Sequence, residues 1–382
     1  MNAASTPPTS PVEDLELTAL NGANPLGFLA ALGTLLTLHK AGHSGVRLGW
    51  KLQSHWTPVI RGVNTYDKAV LTASIANCLR GNTVSADAGD LRDAAQKKFD
   101  AAKKKVTNKV KEIKDRKLSR AEKKEADMLE LAPLQATMTE LRTASLQALK
   151  LAVPRKELAV GKTINCTRED YRELAADSIA CAALEDREFA DYLAAFGSDG
   201  AVFTNSETIM PTPFCFISGA GHQYFLESAR ELTEKATSVT VDEAIFGPWP
   251  YHDEKYSLRW DPGEDVRYAL LAENPSTVAP LGTVWMANLL AYCALPLFAS
   301  APGCGGYLET TAWHRKNRQV TFTWPLWEHP LLPDAIRSLL QYRALHELKH
   351  PERKARGVTA VFTSERIQVG KYFNFTPAAY SL

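Results

Sequence analysis

The feature that most constrains the fold is a long, charged stretch between residues 88 and 153. Its apolar side chains recur at spacings of three and four, as on the buried face of a helix; they are Phe99, Ala102, Val106, Val110 and Ile113. Ser119 and Glu122 match a capping box, in which the serine side chain accepts an early helical amide and the glutamate reaches back. A second helix is therefore expected to begin there.

The second helix has an apolar stripe of its own, made by Leu131, Leu134, Met138 and Leu141. Pro133 is expected to kink it, because proline lacks an amide and clashes with the preceding turn. Two helices with one apolar face each bury those faces against each other. We therefore predict that residues 88–153 form a helical hairpin inserted into the rest of the chain and ended by Pro154.

The hairpin also contains the most basic segment. Between Lys97 and Lys124 there are 13 Lys or Arg and four Asp or Glu, a local balance of +9, whereas the whole chain carries +1. Such a patch favours nucleic-acid phosphates, because each neutralised phosphate releases condensed counterions. The alternative is a solvated helix face whose charges serve solubility. The lysines predicted to bind nucleic acid are Lys103, Lys104, Lys105, Lys109, Lys111, Lys114 and Lys117.

Helix and strand patterns alternate on both sides of the hairpin. Asn24-Pro25 predicts a helix start, because asparagine accepts early amides and proline has none to leave unpaired. Gly33 within that helix indicates close packing, which we expect to be against a strand. We predict an α+β protein with a mixed N-terminal domain (13–87 and 154–262) behind a disordered leader (1–12). A mainly helical C-terminal region (263–382), with short strands, is predicted to end in a β-hairpin.

A glycine-rich turn follows the apolar run 214–217. Gly219, Gly221, His222 and Gln223 lie where that run gives way to a helix predicted over 222–235. Amides at a helix start attract anions, so the turn is a lesser candidate for holding a phosphate or a flanking base, with His222 and Gln223 as additional donors. The sequence has neither the dinucleotide-binding glycine pattern nor a P-loop. A plain structural turn is the alternative.

The segment 257–268 combines arginines with acidic residues. Arg259 and Arg267 are expected to form ion pairs that join two domains. The same arginines are also suited to contacting a nucleic-acid backbone or stacking on Trp260. Acids outnumber the bases here, which favours the structural pairing. The acids are Asp261, Glu264 and Asp265.

Composition disfavours several classes of protein. A net charge of +1 excludes a uniformly basic nucleic-acid binder, so any contact requires a local patch. The six cysteines are scattered without a Cys-x-x-Cys pair, which disfavours a disulfide scaffold or zinc ribbon and favours the cytoplasm. The apolar run 25–38 is too short to span a bilayer, and residues 1–12 do not match a signal peptide.

Residues for a catalytic centre are not recognised in the sequence. His252-Asp253 stands alone, whereas a two-metal phosphohydrolase needs several further His and Asp ligands. His346 and His350 lie four apart on a predicted helix without a nearby third ligand. Gly-x-Ser-x-Gly does not occur. We therefore predict a non-enzyme with no catalytic residue, no metal and no cofactor.

Four segments resemble a known family. Residues 17–33, Leu-Thr-Ala-Leu-Asn-Gly-Ala-Asn-Pro-Leu-Gly-Phe-Leu-Ala-Ala-Leu-Gly, are similar to the N-terminal strand, loop and helix of CRISPR-associated large-subunit proteins. The segments 257–268, 287–296 and 371–377 resemble the type I-G (formerly type I-U) branch of that family. The lysine-rich hairpin lies outside the resemblance.

The resemblance implies a non-catalytic subunit of a type I CRISPR surveillance complex. Such a subunit holds one end of the guide RNA, helps to recognise the motif flanking the target DNA and recruits a helicase–nuclease. The implied partners are the guide RNA, the target DNA, repeated backbone subunits and the helicase–nuclease, with no membrane. Two alternatives stay open: a nucleotide-dependent or hydrolytic enzyme centred on Gly219–His222, and a structural scaffold whose basic hairpin packs on an acidic protein.

Overall fold

The computed structural model describes residues 14–184, 187–204, 206–264, 282–342, 347 and 350–380. It contains 50% helix and 18% strand, with many helices and several small sheets. The paired strands within these ranges run antiparallel. The fold is therefore α+β, as predicted. The predicted leader, together with Asp265, Arg267 and His346, lies outside the described residues.

Contacts within the chain group into two compact units. The hairpin unit comprises Asn82–Gly161 and contains all of the predicted hairpin, 88–153. The main unit comprises Met1–Gly81 and Lys162–Leu382. Each unit has buried apolar residues of its own.

The main unit begins with a small sheet and two helices. Its elements are β1 (Leu15–Glu16), α1 (Pro25–Lys40), β2 (Arg47–Leu52), β3 (Trp56–Arg61) and α2 (Lys68–Arg80). The strand order is β1-β3-β2. The Asn24 side chain accepts the amide of Gly27 at 3.2 Å, and Pro25 takes the first helical position. The predicted helix start is therefore confirmed.

The hairpin unit consists of two helical arms. Its elements are α3 (Ala86–Asp115), α4 (Arg120–Ala126), a π-helical turn (Asp127–Leu131), α5 (Ala132–Leu151) and a 3-10 turn (Lys156–Val160). Glu122 donates its amide to the Ser119 hydroxyl at 3.4 Å and accepts the Ser119 amide at 2.9 Å, so the capping box is confirmed. The Ser145 hydroxyl donates to Gln96 at 3.0 Å and ties α5 to α3.

The irregularity expected at Pro133 lies just before it. Pro133 has no amide to donate to the carbonyl of Leu129, so a regular α-helix cannot continue unchanged through this turn. The chain forms the π-helical turn instead, in which the Ala132 amide donates to the Asp127 carbonyl, five residues back.

The core of the hairpin unit is small. Ile113, Ala126 and Leu131 are buried together, and Val106 and Leu118 pack against them. Val110, which was predicted to share this apolar face, is 46% exposed. A narrow stripe suffices to join two helices, and it leaves most of the helix surface polar.

The rest of the main unit alternates short helices with short strands before a larger sheet. The elements are α6 (Arg168–Ala182), α7 (Glu188–Phe196), α8 (Phe225–Glu234), α9 (Ser238–Ile245), β4 (Asp253–Glu254), β5 (Gly282–Thr283), α10 (Trp285–Cys293), β6 (Ser300–Pro302), β7 (Leu308–Thr310), β8 (Trp313–Lys316), β9 (Gln319–Trp327), α11 (Pro333–Leu340), α12 (His350–Ala355), β10 (Val358–Val369), β11 (Tyr372–Phe375) and β12 (Ala379–Tyr380).

The C-terminal region forms a five-stranded antiparallel sheet. Its order is β11-β10-β9-β8, and β12 pairs with β10. A terminal hairpin is present, but β10 and β11 form it and turn at Gly370, whereas the apolar stretches 358–362 and 367–369 that indicated its two strands both lie within β10. The region holds more strand than predicted. The residues from Phe322 to Trp327 are buried in succession, so both faces of β9 are covered and the polar–apolar alternation disappears there.

Aromatic rings fill the core of the main unit. Phe322 is fully buried, and its ring centre lies 5.0 Å from Trp324 and 5.2 Å from Phe214. A methyl group at Gly33 would overlap the carbonyl oxygen of Leu290, so α1 and α10 touch backbone to backbone. The close packing predicted at Gly33 is present, but its partner is a helix and not a strand.

Candidate nucleic-acid interface

The outer face of α3 carries three lysines in a row. Lys97, Lys104 and Lys111 are seven residues apart, so at about 100° per residue they lie within about 40° of one another around the helix. They are exposed, and none forms an ion pair with another described residue. At about 1.5 Å per residue the row is about 21 Å long. These three residues are called the lysine row.

Further lysines flank this row. The same geometry places Lys103 and Lys114 on one side of it and Lys98 and Lys105 on the other. All four are exposed and, within the described ranges, take part in no ion pair. Lys117 follows in the turn to α4, where its φ of 49° is left-handed. Of the lysines predicted to bind nucleic acid, Lys104 and Lys111 therefore belong to the row, and Lys103, Lys105 and Lys114 flank it on its two sides.

Lys109 differs from its neighbours. Its ammonium lies 2.7 Å from Glu112 and 3.3 Å from Glu130, and Arg116 pairs with the same two carboxylates. The hydrogen bond with Glu112 holds the pKa of Lys109 above its usual value. The charge of Lys109 is thus matched inside the hairpin, so it is less suited to a phosphate than the unpaired lysines.

A depression of about 290 Å³ lies between α3 and α5. Lys98 and Lys105 line it together with small and apolar side chains; these are Ala101, Ala102, Leu134, Thr137 and Leu141. Compact substrates are usually held by several convergent polar groups in a deep cleft. Lysines beside apolar surface suit the backbone of a polyanion better.

The backbone amides of the glycine-rich turn are hydrogen-bonded within the turn itself. The Gly219 amide donates to the Gln223 carbonyl at 2.7 Å, and the His222 amide donates to the Gly219 carbonyl at 3.2 Å. The Gln223 amide donates to the Ala220 carbonyl at 3.2 Å. Left-handed φ angles at Gly219, Gly221 and His222 close the turn. Three amides expected to attract a phosphate are therefore already bonded.

The helix after this turn starts later than predicted. It begins at Phe225, and the amides of Leu226 and Glu227 both donate to the Lys162 carbonyl at 3.0 Å. A backbone carbonyl thus caps the helix where an anion was expected. This geometry favours the structural-turn alternative for the predicted phosphate site, although the His222 side chain is exposed.

Two arginines lie over aromatic rings of β11. The guanidinium carbon of Arg259 is 4.0 Å from the ring centre of Tyr372, and that of Arg366 is 3.5 Å from Phe373. Burial lowers the pKa of Arg366 to about 10, which leaves it charged at neutral pH. The stacking considered for Arg259 therefore takes place on Tyr372 and not on Trp260.

Asp261 belongs to a hydrogen-bond network. It accepts from the side-chain amide nitrogen (Nδ2) of Asn24 at 2.8 Å and from the Tyr251 hydroxyl at 2.6 Å. Asn24 also caps α1, so Asp261 fixes the segment around residue 260 to the start of that helix. Asp261 thus joins two parts of the fold, as predicted for the acids of this segment. It does so through hydrogen bonds to neutral side chains.

Glu264, in the same segment, is buried like Asp261. It accepts from the hydroxyls of Ser257 and Thr283, each at 2.5 Å. Burial raises the pKa of Glu264 to about 8, and the nearby charge of Asp261 contributes. The carboxyl is therefore mainly protonated at neutral pH, and its bonds are made inside the fold.

One group of ligand-type side chains was not recognised from the sequence. Glu243 of α9, His252 and Asp253, which is the first residue of β4, each offer a ligand atom, and these atoms lie within 4.8 Å of one another. Burial raises the pKa of both Glu243 and Asp253. Glu243 precedes His252 across a helix end and an aromatic loop, so no fixed spacing signalled the contact.

Comparison of the chain with models of protein families and with curated proteins finds no match. Among the described helices, none is both long and apolar enough to cross a membrane. Function is therefore inferred from site geometry and from the resemblance of the four segments.

Those four segments meet within the main unit. Asn24 in the first segment contacts Asp261 in the second, and Arg259 in the second lies on Tyr372 in the fourth. The third segment begins within α10, which packs against α1. The described residues of the four segments thus form one connected group within the folded main unit.

Proposed function

We propose that this protein is a non-catalytic subunit of a type I CRISPR RNA-guided surveillance complex and binds the backbone of guide RNA or target DNA. The lysine row is the observation that carries the binding. Its three cations are exposed, lie on one face of α3, and pair with no acid in the described part of the chain. Unpaired cations release counterions when they meet phosphates, whereas paired ones have less to gain.

The dimensions of the row support contact along a nucleic-acid backbone. Each DNA strand presents a phosphate about every 3.4 Å of helix axis. A row about 21 Å long therefore runs beside roughly six such intervals. Lysine is a point charge on a flexible stem, so it suits phosphates in any sequence. Base pairing with the guide would supply the sequence specificity.

Membership of the complex rests on the four resembling segments. Described residues of these segments contact one another within the main unit, so the resemblance concerns one connected part of the fold. The proposed partners are the repeated backbone subunits and the helicase–nuclease, and the proposed location is the cytoplasm. The side chains of His222 and Gln223 are the lesser candidate for contact with the flanking motif, since the amides of their turn are already bonded within it.

To test binding by the lysine row, Lys97, Lys104 and Lys111 are replaced together by alanine. Binding of duplex DNA and of a short RNA is measured over a range of salt concentrations. The slope of log affinity against log salt should become shallower by up to about 3, because each lost contact with duplex DNA removes about 0.9. All three side chains are exposed, so the fold should be retained.

The matched control removes the same charge from the main unit. Lys316, Lys354 and Lys371, which are exposed and form no ion pair within the described ranges, are replaced by alanine, and the salt slope should change little. Equal effects in the two triple variants would assign binding to overall charge and contradict the interface. An unchanged slope in the hairpin variant would contradict it as well.

Assembly is tested by purifying the full chain from cells that also express candidate partner proteins. Co-purification of a repeated backbone subunit with a short RNA is expected. A lone chain with turnover on a small substrate would contradict the proposal and favour the enzyme alternative.

A further inference from the structure

Three side chains lie close together where the aromatic loop that follows α9 ends at β4. Glu243 lies in α9, Asp253 is the first residue of β4, and His252 immediately precedes that strand. The His252 Nε2 atom is 3.6 Å from the Asp253 Oδ1 atom, and the Glu243 ligand atom lies within 4.8 Å of both. A tetrahedral ion with bonds of about 2.0–2.1 Å holds neighbouring donor atoms about 3.4 Å apart. Small side-chain rotations therefore suffice to bring all three atoms to one ion.

The two carboxylates lie close together, and the basic group beside them is the imidazole of His252. Neither Glu243 nor Asp253 forms an ion pair with a lysine or arginine of the described ranges. A bound cation would balance the two negative charges, which otherwise repel each other.

Asp253 is held in place for this role. The Trp285 amide donates to its Oδ2 atom at 2.8 Å and leaves Oδ1 facing His252. The backbone pairing of β4 with β5 sets Asp253 opposite Thr283. Metal-binding carboxylates are commonly oriented by such a hydrogen bond to their second oxygen.

We propose that Glu243, His252 and Asp253 bind one divalent transition-metal ion of the Zn²⁺ type. One imidazole and two carboxylates match the nitrogen and oxygen donors that zinc accepts, whereas Ca²⁺ and Mg²⁺ sites are built from oxygen alone. Water completes the coordination. The ion joins α9 to β4 and is independent of the lysine row.

The test measures binding of Zn²⁺ to the full chain after chelator treatment. Equilibrium dialysis is run on tag-free protein with Cys304→Ser, because Cys304 is an exposed thiol that competes for zinc. One equivalent of Zn²⁺ should bind and raise the melting temperature. His252→Ala and Asp253→Asn should each weaken binding at least about tenfold. His252 is 62% exposed, so its variant should fold normally.

His222→Ala and Glu254→Gln provide the controls, since both change exposed side chains outside the group. They should bind Zn²⁺ as the parent does. Failure of the parent to bind one equivalent would overturn the site. Undiminished binding by His252→Ala, or equal losses in the controls, would overturn it too.

Discussion

The hairpin unit and the main unit are held together in different ways. In the main unit, Phe322 is fully buried and contacts rings from several elements, among them Phe28 of α1 and Phe375 of β11. In the hairpin unit, the buried cluster contains Ile113 and neighbouring small or aliphatic side chains, with no aromatic ring among its members. The main unit depends on close packing, whereas the hairpin needs only a narrow apolar stripe.

This difference explains where charge is available for binding. The narrow stripe leaves the outer face of α3 to lysines that pair with no acid of the described chain. In the main unit, by contrast, Arg366 lies on an aromatic ring and Glu264 is bonded inside the fold. Substitutions on the hairpin surface should therefore change binding, and those in the main unit should change stability.

The two units can be followed separately in solution. All eight tryptophans lie outside Asn82–Gly161, so tryptophan fluorescence reports on the main unit alone. Far-ultraviolet circular dichroism also reports on the helices of the hairpin. A substitution can thus be assigned to the unit that it destabilises.

The largest effect is expected from Phe322→Ala. Removal of a fully buried ring should lower the free energy of unfolding by about 3–5 kcal/mol, because the cavity cannot close completely. Urea denaturation followed by fluorescence measures the change. Tyr380→Ala, at a 46% exposed position, is the control and should cost much less. A similar cost for both variants would show that close packing does not distinguish the main unit.

A pH-dependent effect is expected from Glu264. Its pKa is about 8 in the folded chain and about 4.3 in an unfolded one, so folding favours the protonated form. The resulting stability is fully present below about pH 4 and is lost as the pH rises through 8. The parent should therefore lose stability relative to Glu264→Gln, by up to about 1.4 kcal/mol per pH unit.

Unfolding is measured at several pH values from 5 to 9 for both proteins. Glu254→Gln, which changes an exposed carboxyl, should follow the parent curve throughout. Parallel curves for the parent and Glu264→Gln would contradict the burial-driven pKa.

A smaller effect is expected from Ile113→Ala in the hairpin. The cost should be about 2 kcal/mol, at the low end for such a change, because a small cluster can relax around the gap. Circular dichroism and proteolysis between residues 82 and 161 should detect the loss, while the fluorescence transition stays in place. An equal shift of the fluorescence transition would show that the two units unfold as one.

Local signals were sufficient to predict several helix ends. The Asn24 cap and the Ser119–Glu122 capping box each depend on groups three residues apart, so the sequence contains both partners. The spacing of apolar residues likewise predicted the paired arms of the hairpin. Such features require no knowledge of distant parts of the chain.

Features that depend on distant partners could not be predicted in this way. The Lys162 carbonyl caps α8 from more than sixty residues away, and the partner of Gly33 is a helix near residue 290. The contact of Glu243 with His252 depends on how a loop folds back. Within the candidate interface, the lysines were visible as a basic segment, whereas the pairing of Lys109 with Glu130 depends on how the two arms of the hairpin meet.

The π-helical turn before Pro133 changes the direction in which the side chains of the second helical arm point. Ala126 and Leu131 share one buried cluster although they are five residues apart. In a regular α-helix that spacing would turn them about 140° away from each other. The π-helical turn takes up one extra residue, so Ala126, just before the turn, and Leu131, its last residue, point towards the same buried cluster. Deleting a single residue from this turn would rotate α5 relative to α4. The apolar side chains on the two sides of the turn would then no longer face the same helix.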